Sequence, residues 1–293
     1  MSSQDSILIT GGGGMLGHAL ADIFAARGQT AVALARNQLD VANESALQNA
    51  FATYRPTLVF NCAAHTKVDL CEQESAKADA VNGYAVGMLA GLCRDNGARL
   101  VHISTDFVFD GTSKRPYQPD DPVNPLGAYG RSKLLGETEL RRNAPGQWLI
   151  IRTAWVYGRW GANFPRAIVQ AARAGKPLTV VNDQIGSPTY APDLAEAIVQ
   201  LVHSGAEGVW HVTNSGQASW FDLAVATLQQ FGITAQLTPI SSEQWARIRP
   251  GSAARPAYSV LDIRAVTQRI GRPMRDWREG VADFHRAVQA HGF

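Results

Sequence analysis

Cysteine is scarce in this chain, with three residues, Cys62, Cys71 and Cys93, among 293. An odd number without paired metal-ligand spacing points to reduced packing thiols in a cytoplasmic protein rather than a disulfide framework. An excess of one charge is missing too. Lys plus Arg number 27 against 25 Asp plus Glu, a formal net charge of +2, and the two signs are interspersed. That balance argues against a nucleic-acid surface or a membrane patch. No apolar run approaches the ~18 residues of a spanning helix. The opening MSSQDSILIT has no basic region ahead of a long apolar core, so no secretory leader is expected. Nor is there an internal repeat, a low-complexity tract or a His/Cys/Asp/Glu cluster at metal-ligand spacing, and no metal is expected.

What is present is an alternation of short apolar runs with helical patterns. SILIT (6–10), TAVALA (30–35), TLVFN (57–61), RLVHIS (99–104) and QWLIIRT (147–153) read as buried strands. Between them, 15–28, 43–54 with Asn43 as N-cap, most of 74–97 and the stretch around Tyr129 read as helices. Strands of about five apolar residues alternating with helices predict an α/β fold, a Rossmann-like doubly wound parallel sheet covered on both faces. Past 158 the pattern loosens, with helices expected at 191–204, 219–231 and 277–290 and strands near 178–181 and 208–212. We expect residues 1–158 to form mainly a nucleotide-cofactor domain and 159–293 mainly a smaller, partly interleaved substrate domain, the chain crossing between them.

The first turn, ITGGGGMLGHAL, spaces Gly11, Gly14 and Gly17 as G-x-x-G-x-x-G between a strand and a helix that Met15 and Leu16 open. Glycines let a backbone approach a pyrophosphate, and the helix behind offers unspent N–H groups and about half a positive charge. A plain glycine loop is the alternative. The second strand ends ALARNQLD, placing Arg36 nineteen positions after Gly17 (36 − 17) with no carboxylate at the strand end. An arginine there favours a ribose 2′-phosphate, hence NADPH, with NADH the alternative. Asp40 is expected near the adenine. Small residues after the third strand, Ala63 and Ala64, can pass close to the cofactor.

In AYGRSKLLGE, Tyr129 and Lys133 share one helix face four residues apart. A neighbouring ammonium favours the phenolate and pulls the phenol towards working pH. A tyrosine so tuned can exchange a proton with a carbonyl or alcohol oxygen. Tyr-x-x-x-Lys alone is weak, but Ser104 and Thr105 end the preceding strand where ligands bind in open α/β sheets.

Together these residues resemble the short-chain dehydrogenase/reductase superfamily in its extended form. NCAAHTKVDLCE (61–72), STDFVFDG (104–111), YGRSKLLGE (129–137), RTAWVYG (152–158), DQIGSPT (183–189) and RPAYSVLD (255–262) resemble the dTDP-4-dehydrorhamnose reductase family, in order and spacing along almost the whole chain. The resemblance implies hydride transfer from the nicotinamide to the 4-keto carbon of a dTDP-4-keto-6-deoxyhexose, giving dTDP-L-rhamnose. It implies Tyr129 as general acid, Lys133 as holder of the nicotinamide ribose, and Thr105 as the hydrogen-bond donor to the carbonyl oxygen. Trp155 would lie beside the sugar, Val68, Asp69 and Asp106 in the sugar site, Arg255 at the diphosphate, and Asn163 and Gln184 near the nucleotide. Two departures stand out. Phe107 replaces a frequent tyrosine, and Ala19 stands where some relatives carry a carboxylate of a magnesium-bridged dimer, so a monomer or weak homodimer is expected. The alternatives are a reductase or epimerase for another nucleotide sugar, and a non-catalytic NADP-binding regulatory subunit such as that of methionine adenosyltransferase.

Overall fold

A computed structural model describes residues 6–144 and 146–293. Strands β1 (Ile7–Thr10), β2 (Ala31–Leu34), β3 (Leu58–Asn61), β4 (Arg99–Thr105) and β5 (Trp148–Thr153) pair in parallel in the order β2-β1-β3-β4-β5, and Gly208–His211 adds a sixth parallel strand beside β5. Their continuous apolar runs follow from burial on both faces. Ile7 and Ile9 of β1 and Leu58 and Phe60 of β3 pack on one side, with helix α1 (Met15–Ala26). Leu8 and Val59 pack on the other, with α2 (Glu44–Tyr54). Each such side chain taken from water stabilises the fold by ~1.5–3 kcal/mol. The chain leaves β1 for β2 on one side and returns to β3 on the other. The switch therefore falls at the carboxyl ends of β1 and β3, where open α/β sheets bind their ligands.

After β3 come α3 (Val68–Gln73), α4 (Ser75–Asp79), one π-helical turn (Ala80–Tyr84) and α5 (Ala85–Asp95), so the stretch expected as one helix is broken in its middle. Helix α6 (Ala128–Arg142) crosses this turn at close range. A Cβ added at Gly136 would lie 2.1 Å from the Asn82 carbonyl oxygen. Asn43 caps α2 as its sequence suggests, accepting from the Ala46 N–H at 3.0 Å.

Past β5, α7 (Phe164–Arg173) precedes α8 (Ala191–His203), which packs on the α1 face of the sheet just before the chain supplies its sixth strand. Residues 191–211 thus return to the first layer. Three two-stranded pairs, with α7, α9 (Trp220–Gln230) and α10 (Trp277–His291), build a second set of cores around Trp277, Phe284 and Leu228. The strand Leu178–Val181 and helices α8, α9 and α10 fall where the sequence predicts them. Elements such as α3, α7 and the strand Ile185–Gly186 were not foreseen. A two-residue strand and a helix of under two turns carry no readable period, whereas α7, with ten residues, has a period long enough to read. Among the described residues no helix is long and apolar enough to cross a membrane.

Candidate active site

A cavity of about 1130 Å³ opens at the switch point and runs from the glycine turn and Arg36 to Tyr129, Trp155 and Arg255. Gly11 makes its narrow end possible. Its φ is +66°, and a Cβ there would lie 2.6 Å from the Ala63 amide nitrogen. Gly14 precedes α1 with no side-chain cap and no acidic residue in the first turn. The first N–H groups of α1 therefore stay available to an anion. Met15, Leu16, Ala63 and Ala64 line this end. Arg36 and Asp40 line it at the tip of β2. Arg36 is exposed and forms no ion pair among the described residues, while Asp40 turns the chain by accepting from the Ala42 N–H at 3.0 Å. A tight turn that excludes a side chain, an uncapped helix start and an uncommitted guanidinium fit a phosphorylated dinucleotide.

At the other end Thr105 closes β4, and Tyr129 and Lys133 project from the first turns of α6. Glu72 anchors α6 by accepting from the Ala128 N–H at 2.7 Å. Phe107 meets Tyr129 edge-on, with ring centroids 5.6 Å apart. Burial pushes the Tyr129 phenol above its ordinary value; the Asp106 carboxylate and Cys71 add to the rise and a hydrogen bond with Thr105 opposes it. This corrects the expected tuning. The Lys133 amine is directed to the Ile103 carbonyl at 2.5 Å and towards His102, and burial governs the phenol. Lys133 itself is pushed down to about 8, by burial first, with Glu137 and Cys62 opposing.

The wide end is aromatic. Trp155 holds a left-handed backbone, φ +48°, and its indole stacks on Trp220 with centroids 3.6 Å apart and planes within 6°. Such a conformation costs ~1–3 kcal/mol and persists where the surroundings enforce it. Trp220 lines the cavity and was not singled out from sequence; it begins α9, 65 residues from its partner (220 − 155). Val68, Asp106 and Arg255 also line the cavity. Asp69 does not. It is spent on Arg255 at 2.9 Å and on the Ala253 N–H at 3.0 Å, tying α3 to the C-terminal segment across the mouth. Asn163 and Gln184 likewise lie off the wall. Asn163 caps α7 by accepting from the Arg166 N–H and donates to the Gly158 carbonyl. Gln184 accepts from the Trp220 indole N–H at 3.1 Å and donates to Ser242.

Buried groups missed by sequence reasoning hold this wall. Asn82, on the π turn, donates to the His65 carbonyl and to Ser132 and accepts from the His65 N–H. Glu137, two turns after Tyr129, takes two hydrogen bonds from Arg152 of β5, at 2.9 and 2.8 Å, and one from Ser104 at 2.6 Å. Burial pushes the Glu137 carboxyl up, but Arg152, Ser104 and Arg141 outweigh it and hold it below the usual carboxylate range. Of the cysteines, Cys71 and Cys93 pack in the core, while Cys62 reaches the cavity wall. Ala19 is buried between the sheet and α8. Among the described residues no three His, Cys, Asp or Glu side chains gather to hold a metal.

A hydroxyl, a phenol and an amine facing a glycine-turn cleft make this an extended short-chain dehydrogenase/reductase, an oxidoreductase that works with a nicotinamide cofactor. More narrowly, the model of the family described as RmlD substrate binding domain matches residues 5–290, and the chain belongs to that family. It is 42% identical over 286 residues to dTDP-4-dehydrorhamnose reductase of Mycolicibacterium smegmatis, covering 96% of this chain and 85% of that protein. It is 40% identical over 274 residues to dTDP-4-keto-6-deoxy-D-glucose reductase of Streptomyces niveus, covering 93% and 94%. The crystal structure of dTDP-4-dehydrorhamnose reductase from Bacillus anthracis in complex with NADP superposes with a TM-score of 0.91 at 33% identity, over 97% of this chain and 99% of that one.

Proposed function

We propose that this protein reduces the 4-keto group of dTDP-4-dehydro-L-rhamnose to dTDP-L-rhamnose with NADPH. The observation that carries the reading is the meeting of Thr105, Tyr129 and Lys133 with the glycine turn and Arg36 in one cavity. Gly11, Gly14, Met15 and Leu16 would receive the pyrophosphate, Arg36 the 2′-phosphate, Asp40 the adenosine end, and Ala63 and Ala64 the passing ribose. When bound, NADPH supplies the hydride to the carbonyl carbon. The chain supplies the rest. Thr105 orients the carbonyl oxygen by donating its hydroxyl proton in a hydrogen bond, turning it from Asp106 Oδ1, which otherwise accepts it at 3.0 Å. Tyr129, which burial keeps protonated, gives its proton to the oxygen as negative charge develops there. Lys133 holds the ribose and adds a positive charge beside the new oxyanion.

Trp155 and Trp220 offer an apolar wall to the deoxysugar, Val68 and Asp106 border the sugar, and Arg255 reaches the diphosphate once it exchanges Asp69 for it. Asn163 and Gln184 act by holding α7 and Trp220 rather than by touching the nucleotide. Residues 1–158 with 191–211 would chiefly hold the cofactor, and the remainder of 159–293 the sugar nucleotide. The reading places a monomer or weak homodimer in the cytoplasm, where NADPH and nucleotide sugars are made.

The test is NADPH oxidation with dTDP-4-keto-6-deoxysugars and identification of the product. No oxidation with dTDP-4-dehydro-L-rhamnose rules the assignment out. A second reading, reduction of a dTDP-4-keto-6-deoxy-D-glucose, is favoured by the equally similar Streptomyces niveus relative, and the product's stereochemistry separates the two.

A further inference from the structure

Behind Lys133 runs a line of buried polar side chains that the reaction as described does not use. Thr10 of β1, Asn61 of β3, His102 of β4 and Lys133 of α6 are each at most 2% exposed. Thr10 Oγ1 lies 2.7 Å from Asn61 Oδ1, Asn61 Nδ2 lies 3.1 Å from His102 Nδ1, and His102 Nε2 lies 3.5 Å from Lys133 Nζ. A polar line through the middle of an apolar sheet costs stability unless every member is satisfied. Among the described residues, the only hydrogen-bond partner of its far end, His102 Nε2, is Lys133.

We propose that His102 is a positioning residue for the reaction: its Nε2, steadied through Asn61 and Thr10, is the acceptor that orients the Lys133 ammonium and sets the pH at which that lysine loses its proton. The proposal deepens the reductase reading and rests on it. An ammonium has three N–H donors and no acceptor. The Ile103 carbonyl takes one at 2.5 Å. His102 takes a second only if Nε2 carries no proton, which leaves one donor for the cofactor ribose. The ring proton then sits on Nδ1 and must be donated to Asn61, which needs the amide turned over from the arrangement above, its oxygen towards His102 and its NH₂ towards Thr10. With the amide as it stands above, its NH₂ towards His102, Nε2 carries the proton and suits only a neutral amine. The orientation of one buried amide is thereby tied to the charge of the lysine.

The groups facing Lys133 leave it as the one that titrates. On its own helix, Glu137 is a carboxylate that favours the ammonium, and Tyr129 keeps its proton. From the end of β3, burial pushes the Cys62 thiol up to about 12. From β4, burial and then the Lys133 charge hold His102 neutral. Asp106, raised to about 6, faces Tyr129 instead.

Two isosteric substitutions separate the ends of the ring. Glutamine reaches about as far as Nε2 and keeps an acceptor for Lys133; asparagine reaches about as far as Nδ1 and leaves Lys133 without one. NADPH affinity, read from the fluorescence of the bound cofactor, and kcat/KM would be followed across the alkaline range, with the melting temperature of each variant. His102→Asn should move both alkaline limbs down by about 0.5–1 pH unit, since an unaccepted buried ammonium loses its proton more readily, while His102→Gln keeps them in place. Asn61→Asp, which can only accept from Nδ1–H and adds negative charge, should move them up; it carries the test should the asparagine variant not fold. Variants that lower the melting temperature but leave both limbs at the wild-type position would reduce His102 to a packing residue and overturn the proposal. Wild-type protein that binds NADPH but turns over no keto sugar would sink the reductase reading instead, and the binding limb alone would then decide the role of His102.

Discussion

Replacing Asp106 with asparagine should make this protein more stable and less active. Asp106 begins the turn after β4, 2% exposed, accepting from the Thr105 hydroxyl at 3.0 Å through Oδ1, while Oδ2 has no partner at hydrogen-bond distance among the described residues. Burial pushes its carboxyl from the ordinary 3.8 to about 6, against the Ser259 and Thr105 hydroxyls. In the unfolded chain the same group ionises at its ordinary value, so the raised value marks a cost of folding the charged form. That cost is absent below about pH 4, grows as pH rises through the interval, and is complete above about pH 6. Two pH units at 1.36 kcal/mol each put it near 3 kcal/mol. An amide keeps the oxygen that Thr105 needs and removes the charge, but a buried NH₂ also wants partners, so a net gain of about 1–3 kcal/mol at pH 8 is expected. For a chain of this size that is a rise of roughly 3–8 °C in melting temperature. Activity should move the other way, by about 10- to 100-fold in kcat/KM, the worth of one hydrogen bond from a sugar hydroxyl to a carboxylate. Thermal unfolding at pH 8 and pH 4, beside steady-state NADPH oxidation, tests both halves. No gain at pH 8, or an equal gain at both pH values, refutes the reasoning.

Tyr129→Phe should bind NADPH as wild type does and lose roughly two to four orders of magnitude in turnover; turnover within tenfold of wild type would remove the phenol from the proton step. Arg36→Asp should shift the ratio of kcat/KM values from NADPH towards NADH by weakening a charge-assisted phosphate contact, and an unchanged ratio would make Arg36 a bystander. Glu137→Gln leaves the Arg152 guanidinium buried without its counter-charge, a loss of ~3–5 kcal/mol, measurable by urea unfolding. The Glu137 carboxyl lies below its ordinary value in the fold. Its stabilisation is therefore present above the ordinary carboxylate range and is lost as pH falls through the folded value. The gap between wild type and variant should close in acid, and a gap independent of pH would refute the ion-pair account.

The sequence alone determined the layers and the chemistry of the first half. Runs such as ILIT and LVFN are apolar on both faces because both faces are covered, and the period of a strand or helix is set by neighbours in the chain. For the same reason the Tyr129–Lys133 spacing, the glycine turn and Arg36 could be read before any coordinates. Only the tertiary structure decided how far each group is from water and what it faces across the fold. Lys133, one helical turn on, suggested an acidified phenol, whereas burial raises the phenol and the amine faces His102. Asp69 and Arg255, 186 residues apart and both expected at the ligand, meet each other at 2.9 Å, with Arg255 also on the cavity wall. Trp155 and Trp220, Glu137 and Arg152, and the line from Thr10 to Lys133 join elements that no periodicity links. Local pattern settles which face of an element is buried; proton affinity and partner choice depend on desolvation and on contacts between distant segments, which exist only once the chain has closed.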